Sequence, residues 1–204
     1  MKGTYVATSL AGVGAVGGAS ALYFYKGGDS VETLRSKFAG ALIEDTETTI
    51  WDAKWDALKK GSVNGDNENL KLALSKKDGN SEQEGKDALK RGCKELYESP
   101  FKNREDKNFL DFKSYCAKNN KEKAGGSELI AKVDTDEGWG TKWTNLKSHQ
   151  GDIDSELEDI KKKDTTSQEA ERKKEIKAWC EKVASELFEL ESVRYKNFVT
   201  YCKP

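Results

Sequence analysis

The chain has 204 residues, a length that fits one or two domains. It carries 35 basic and 36 acidic residues, and of these only Lys2 lies within residues 1–25. The net charge of −1 leaves no global excess of positive charge of the kind that nucleic-acid binding needs, so no nucleic-acid partner is expected. One histidine and one methionine leave few side chains for metal or acid–base chemistry, and neither a metal nor another cofactor is expected.

The N-terminal segment is the first predicted element. Residues 3–25 carry no charge and are flanked by Lys2 and Lys26, and tyrosines lie near both ends. A helix of this length would span about 34 Å, enough to cross a bilayer core of roughly 30 Å, and aromatic rings favour the membrane interfaces. We therefore predict that residues 1–28 form a membrane anchor, with residues 3–25 in contact with lipid.

Two other interpretations of this segment stay open. Ala19-Ser20-Ala21 has the small residues of a cleavage site, which would make the segment a signal peptide that is removed. The third interpretation is a helix buried in a soluble core. In a retained membrane helix, Gly14 and Gly18 form a G-x-x-x-G face, which predicts close helix packing and a homodimer through that helix.

A pattern of rare residues recurs along the rest of the chain and indicates an internal duplication. The recurring residues are Trp51, Trp55, Leu58, Cys93 and Cys116 in the first copy, and Trp139, Trp143, Leu146, Cys180 and Cys202 in the second. Tryptophan and cysteine are uncommon, so their return in the same order at nearly the same spacing is not expected by chance. We predict two copies of one unit, residues 44–120 and 133–204, with linkers at residues 29–43 and 121–132.

Each unit has a helical pattern. Trp51, Trp55 and Leu58 stand at i, i+4 and i+7, the spacing of one helix face, and the second unit repeats this spacing. We interpret these residues as the core of the repeat; an aromatic ligand-binding face is the alternative. Gly61 is expected to end a helix, and Pro100 to break the helix that carries Cys93. The predicted fold class is all-α, with an N-terminal transmembrane helix followed by two tandem small helical units.

The four cysteines divide into one pair per unit. No C-x-x-C motif is present, and small modules with a thin core and paired cysteines usually contain disulfides. We prefer the pairs Cys93–Cys116 and Cys180–Cys202, because a duplication copies a bridge within the unit. The second pair requires a turn near residues 185–192, since one continuous helix would hold its cysteines about 33 Å apart. Bridges between the units and free thiols in a cytosolic core are the alternatives.

No motif of a known reaction occurs in the sequence. It lacks G-x-S-x-G, H-E-x-x-H and a P-loop, and the single histidine, His149, is expected to be exposed in a loop between helices. Catalytic activity is therefore not expected. An extracellular enzyme stays open as a third hypothesis, which would require a deep pocket with convergent polar groups.

The layout of the chain resembles that of the large paralogous protein families of haemotropic mycoplasmas, wall-less bacteria that live on red blood cells. The resemblance rests on the Gly/Ala-rich segment after Met1-Lys2, the Lys/Glu-rich body with Trp-x-x-x-Trp, and the ending Phe-Val-Thr-Tyr-Cys-Lys-Pro. It implies a surface-exposed or exported protein with a role in antigenic variation. It supplies no catalytic residues.

These observations together lead to a functional hypothesis. We expect a single-pass membrane protein whose body is extracellular, or a secreted one if the N-terminal segment is cleaved. It would act as a host-interaction or antigenically variable module, with a host surface molecule or an antibody as its partner. The alternative is a structural protein of the membrane surface that associates with itself.

Overall fold

The computed structural model describes residues 31–78, 81–126, 136–163 and 168–203. Within these ranges the chain is helical and contains no β-strand, only three isolated β-bridges, which confirms the all-α prediction. The α-helices are α1 (Leu34–Lys37), α2 (Thr48–Lys60), α3 (Glu68–Ser75), α4 (Glu82–Glu98), α5 (Lys107–Asp111), α6 (Asn120–Lys123), α7 (Asp136–Lys147), α8 (Ser155–Lys162), α9 (Glu169–Ala184) and α10 (Val193–Cys202).

The same order of elements occurs twice. We refer to residues 31–116, which contain α1 to α5, as the first half, and to residues 117–203, which contain α6 to α10, as the second half. The α-helices correspond one to one, but α5 continues into a π-helix, Phe112–Cys116, whereas α10 is α-helical up to Cys202. The first half also has a 3₁₀-helix, Ala39–Ala41, after α1. Each α-helix of the first half therefore has one equivalent in the second.

Local sequence explains where these helices begin and end. Asn67 and Asp154 occupy equivalent positions, and their side-chain oxygens accept hydrogen bonds from backbone N–H groups at the starts of α3 and α8. Gly61 follows the last residue of α2, and α4 ends at Glu98, directly before Ser99-Pro100. The second half lacks this proline, yet α9 also ends at Ala184, and residues 185–192 form the turn that the second disulfide requires.

Two hydrophobic clusters form the core. The first contains the buried residues of α1 to α5, and the second those of α7 to α10. Leu187 and Phe188 are exceptions, because they follow α9 in the chain but pack in the first cluster. Tyr195 packs against both clusters. The two halves therefore share a packed boundary.

A short segment begins each half and pairs with the turn after its longest helix. In the first half, Thr33 forms a β-bridge with Pro100, and Leu34 N–H donates to Ser99 O at 3.0 Å. In the second half, Asn119 forms a bridge with Leu187 in the same way. Both Thr33 and Asn119 also begin their short helices with a capping box. We call residues 31–34 and 117–120 the leading segments.

Parts of both predicted linkers are helical. Residues 31–43 of the predicted linker 29–43 form α1 and a 3₁₀-helix, Ala39–Ala41, and contribute Leu34 and Phe38 to the first core. The predicted linker 121–132 likewise begins inside α6. Both helices in these segments have only four residues, which is too short for a helical period to be recognised in the sequence. The described residues of both predicted linkers are therefore part of the folded body.

No helix among the described residues is both long enough and apolar enough to traverse a bilayer. The predicted anchor at residues 3–25, with its Gly14 and Gly18 face, lies outside the described residues.

Candidate functional site

The two disulfides link equivalent helices. Cys93 in α4 bonds to Cys116 at the end of the π-helix, with a Cα–Cα distance of 5.1 Å. Cys180 in α9 bonds to Cys202 at the end of α10, with a Cα–Cα distance of 5.5 Å. These are the two pairs that the sequence predicts. All four side chains are buried, so the bonds cross-link the centre of each half.

In each half, a tyrosine precedes the second cysteine of the disulfide. Its hydroxyl contacts the loop that follows the helix with the two tryptophans, α2 or α7. The Tyr115 hydroxyl donates to Ser62 O at 2.8 Å and accepts from Ser62 N–H at 3.2 Å. At the equivalent position, the Tyr201 hydroxyl lies 2.6 Å from Nδ1 of His149. Burial raises the pKa of both tyrosines. The two hydroxyls therefore have the same structural role with different partners.

His149 is half-buried, not freely exposed as the sequence analysis expected. Its Nε2 lies 3.1 Å from the carbonyl oxygen of Asp152, which can only accept, so Nε2 carries the proton. Nδ1 then accepts the hydrogen bond from Tyr201. Both ring nitrogens of His149 therefore make hydrogen bonds that hold the loop in place, and this structural role accounts for a histidine at this position.

A buried polar side chain on the last helix of each half also fixes this loop. Asp111 is fully buried, and its carboxylate accepts from the backbone N–H groups of Asn64 and Gly65 at 2.8 to 3.2 Å. In the second half, Asn197 accepts from Asp154 N–H at 2.7 Å. Neither residue belongs to a motif that is recognisable in the sequence. An alignment of the two copies, extended to every position, places Asp111 opposite Asn197. The recurrence of a polar residue at this position is the signal that could have identified both.

Arg194 at the start of α10 is the centre of an ion-pair network. Its guanidinium contacts the carboxylates of Glu186, Asp154 and Glu156, the last two at 2.9 and 3.1 Å. The hydrogen bond to Glu186 is the largest cause of a pKa above the ordinary value of arginine. The network joins α8, the turn at 185–192 and α10. Because the charged groups of this network are already paired with one another, its role is to hold these elements of the second half together.

The tryptophans do not form an open aromatic face. Trp51, Trp55, Trp139 and Trp143 have at most 6% of their surface exposed, and Leu58 and Leu146 beside them are fully buried. Lysine ammonium groups further cover the ring faces of three of these tryptophans: Lys90 lies over Trp51, Lys59 over Trp55 and Lys147 over Trp143. A ligand could not stack on these rings without unfolding the helix.

Ion pairs between charged side chains cross the boundary between the halves. Lys54 of α2 binds Glu122 of α6 at 2.8 Å, and Lys118 binds Glu47 at 2.7 Å. Within the second half, next to this boundary, Asn120 Nδ2 donates to Val183 O at 2.9 Å, while Asn120 Oδ1 has no partner among the described residues. A groove of about 690 Å³ opens beside α2 and α6 and is lined by threonines, charged side chains and two glycines.

None of these clusters has the composition of a metal site. Within the described ranges, no group of three or more His, Cys, Asp or Glu side chains is placed to hold a metal ion.

Comparison with known proteins returns no match to this chain, whether with protein-family models, curated sequences or solved structures.

Proposed function

We propose that this chain is a surface protein whose body is displayed outside the cell, with residues 3–25 as its membrane anchor. The observation that carries the proposal is the pair of buried disulfides, one in each half at equivalent positions. Stable disulfides form in oxidising compartments and are common in small modules whose core is thin. A body built this way is suited to the exterior of a bacterium.

We further infer that the body is one unit present twice by duplication. Equivalent residues make equivalent contacts in the two halves, including the disulfides, the capping boxes and the leading-segment bridges. The cation–π pair of Lys37 over Phe101, at 4.6 Å, has a counterpart in Lys123 over Phe188, at 4.9 Å. Independent helical domains would not be expected to share so many unrelated details.

The two halves keep one framework but present different surfaces, which supports an antigenic or host-interaction role. In α3 and α8, Leu70 and Leu157 are equivalent and fully buried. The exposed positions beside them differ, because Leu72 stands where Asp159 does and Lys71 where Glu158 does. A framework fixed by buried cysteines and tryptophans thus tolerates reversal of surface charge. This property is what an antigenically variable module needs, in line with the resemblance to surface families of haemotropic mycoplasmas.

Protease treatment of intact cells tests the display directly. Trypsin added outside should remove an epitope placed in residues 136–203, because exposed lysines are frequent there. A cytoplasmic marker must survive in the same sample, and permeabilised cells provide the fully digested control. Complete protection of the epitope in intact cells, with digestion after permeabilisation, would refute surface display.

A further inference from the structure

The only Asn-Gly dipeptide of the sequence, Asn64-Gly65, lies in the loop between α2 and α3. An asparagine before a glycine cyclises readily, because glycine has no side chain to hinder the approach of its backbone nitrogen to the asparagine side chain. Packing favours the glycine here, since a Cβ on Gly65 would lie 2.7 Å from Asn108 Oδ1 and 3.3 Å from Asp111 Oδ2. The fold therefore keeps a chemically reactive dipeptide in this loop.

The reaction open to this dipeptide needs no group besides the chain itself and water. The backbone nitrogen of Gly65 attacks Cγ of Asn64, so a new N–Cγ bond forms and the Cγ–Nδ2 bond breaks. Nδ2 leaves as ammonia together with the proton that Gly65 loses, and a succinimide ring remains. Water then adds to one of the two ring carbonyls and opens the ring, which leaves an aspartate or an isoaspartate at position 64.

The carboxylate of Asp111 holds both nitrogens that take part in this reaction. Asn64 Nδ2, the leaving group, donates to Oδ1 at 2.7 Å, and Gly65 N–H, the nucleophile, donates to Oδ2 at 2.8 Å. Cyclisation requires both hydrogen bonds to break. The Gly65 nitrogen also gains negative charge as it loses its proton, and a fully buried carboxylate beside it disfavours that charge. Asp111 therefore opposes cyclisation in two ways.

The disulfide of the first half fixes the position of this carboxylate. Asp111 is the last residue of α5, which continues into the π-helix that ends at Cys116, and Cys116 is bonded to Cys93. Tyr115 in the same π-helix holds Ser62 of the loop through two hydrogen bonds. The contact between Asp111 and the loop thus depends on a helix that the Cys93–Cys116 bond ties to α4.

We propose that Asn64 is a self-modification site, locked by Asp111 in the folded and oxidised first half and released when the Cys93–Cys116 bond is lost. The modification is irreversible. A carboxylate at position 64 would lie where Asn64 now donates to Asp111, and two like charges at that distance disfavour closure of the loop. A chain that has been reduced or unfolded therefore carries a permanent chemical mark, whether or not the body is displayed at the surface.

The second half lacks both residues of this lock. Gln150, before Gly151, stands at the position of Asn64, and Asn197 stands at the position of Asp111. A glutamine side chain is one methylene longer and must close a larger ring, which forms more slowly. The carboxylate is thus present in the half that contains the reactive asparagine, and the second half provides an internal control.

Peptide mapping by mass spectrometry of the full-length chain, incubated in one buffer, tests the lock. In the folded and oxidised wild type, conversion at position 64 should be at least about tenfold slower than in the same chain reduced and unfolded in urea. Asp111→Asn should accelerate conversion in the folded chain by about tenfold to one hundredfold, the factor expected for the loss of hydrogen bonds to a charged group.

The matched control is Asp106→Asn, which changes another carboxylate of this region. Asp106 accepts from Asn108 N–H at the start of α5 and should not affect conversion at position 64. Adding Asn64→Gln to Asp111→Asn should abolish the signal, which verifies the modified residue.

The two disulfides supply a second comparison, which decides the question if Asp111→Asn does not fold. Cys93→Ala with Cys116→Ala should accelerate conversion at position 64, whereas Cys180→Ala with Cys202→Ala, the equivalent change in the second half, should leave it slow. Equal acceleration by the two pairs would overturn the local lock. Equal rates in the folded and unfolded wild type, or an unchanged rate in folded Asp111→Asn, would also overturn it. Faster conversion in the folded wild type would mean that Asp111 promotes the reaction instead.

Discussion

The ammonium of Lys54 lies 2.8 Å from the carboxylate of Glu122, and this ion pair crosses from the first half to the second. The two side chains are only 7% and 15% exposed. Removing one partner of a buried pair leaves the other charge without compensation, which is more costly than the loss of a surface pair. Glu122→Gln should therefore lower the free energy of unfolding by about 3 kcal/mol, measured by urea denaturation.

The matched control for this variant is Glu158→Gln, which breaks the exposed pair of Glu158 with Lys162 and should leave the urea midpoint nearly unchanged. Adding Lys54→Met to Glu122→Gln should restore much of the lost stability, because no unpaired charge is then buried. Equal effects of the Glu122 and Glu158 substitutions would mean that the pair contributes little to the boundary.

Substitution by alanine is expected to have opposite effects on stability at two glycines that lie within helices. A Cβ at Gly85 in α4 would lie 2.4 Å from the Trp55 ring, so Gly85→Ala forces the buried tryptophan to move. We expect a net destabilisation of about 1 kcal/mol, since overpacking exceeds the gain in helix propensity. Gly140→Ala in α7 meets only the flexible end of Lys173 at 3.5 Å and should stabilise by about 1 kcal/mol. Thermal unfolding of both variants checks this difference, and a stabilising Gly85→Ala would contradict the packing described here.

The buried Tyr97 hydroxyl predicts a loss of stability in alkali. It donates to Cys116 O at 2.8 Å, and burial raises its pKa to about 12. Because the folded-state pKa lies above the unfolded value of about 10, the stabilisation is complete below pH 10 and is lost as the pH rises towards 12. The loss should reach about 2 kcal/mol across this range.

Urea midpoints of the wild type and Tyr97→Phe, measured at several pH values, isolate this contribution. The variant is less stable at neutral pH but should lose less stability than the wild type between pH 10 and 12. Parallel curves for the two proteins would show that Tyr97 ionises as easily as an exposed tyrosine.

Rare residues and helical spacing were sufficient to predict several features of the body. The cysteine pairs and the turn near residues 185–192 follow from the recurring cysteines together with the distance limits on disulfides. The end of α2 at Gly61 follows from the tendency of glycine to end helices. These features depend on residue types with strong and specific structural preferences.

Other features depend on contacts between distant residues and could not be found by spacing alone. The leading segments are short, and they are ordered by backbone pairing with turns more than 60 residues away, as Thr33 with Pro100 illustrates. The insertion of Phe188 into the first core likewise requires knowledge of the boundary between the halves. Arg194 looked like one of many surface charges, because only folding brings its three carboxylates together.

The central claim is that the body contains two repeated halves, each with an oxidised disulfide, and is displayed at the cell surface. Mass mapping of the cysteines, in protein taken from its own cells, tests this claim most directly. Thiols are blocked at lysis and peptides are compared without reduction, so that native bonds are preserved. We predict two linked peptides, one joining Cys93 to Cys116 and one joining Cys180 to Cys202, with no blocked cysteine. Four blocked thiols would place the chain in a reducing compartment, and a bond between the two halves would contradict the repeated unit.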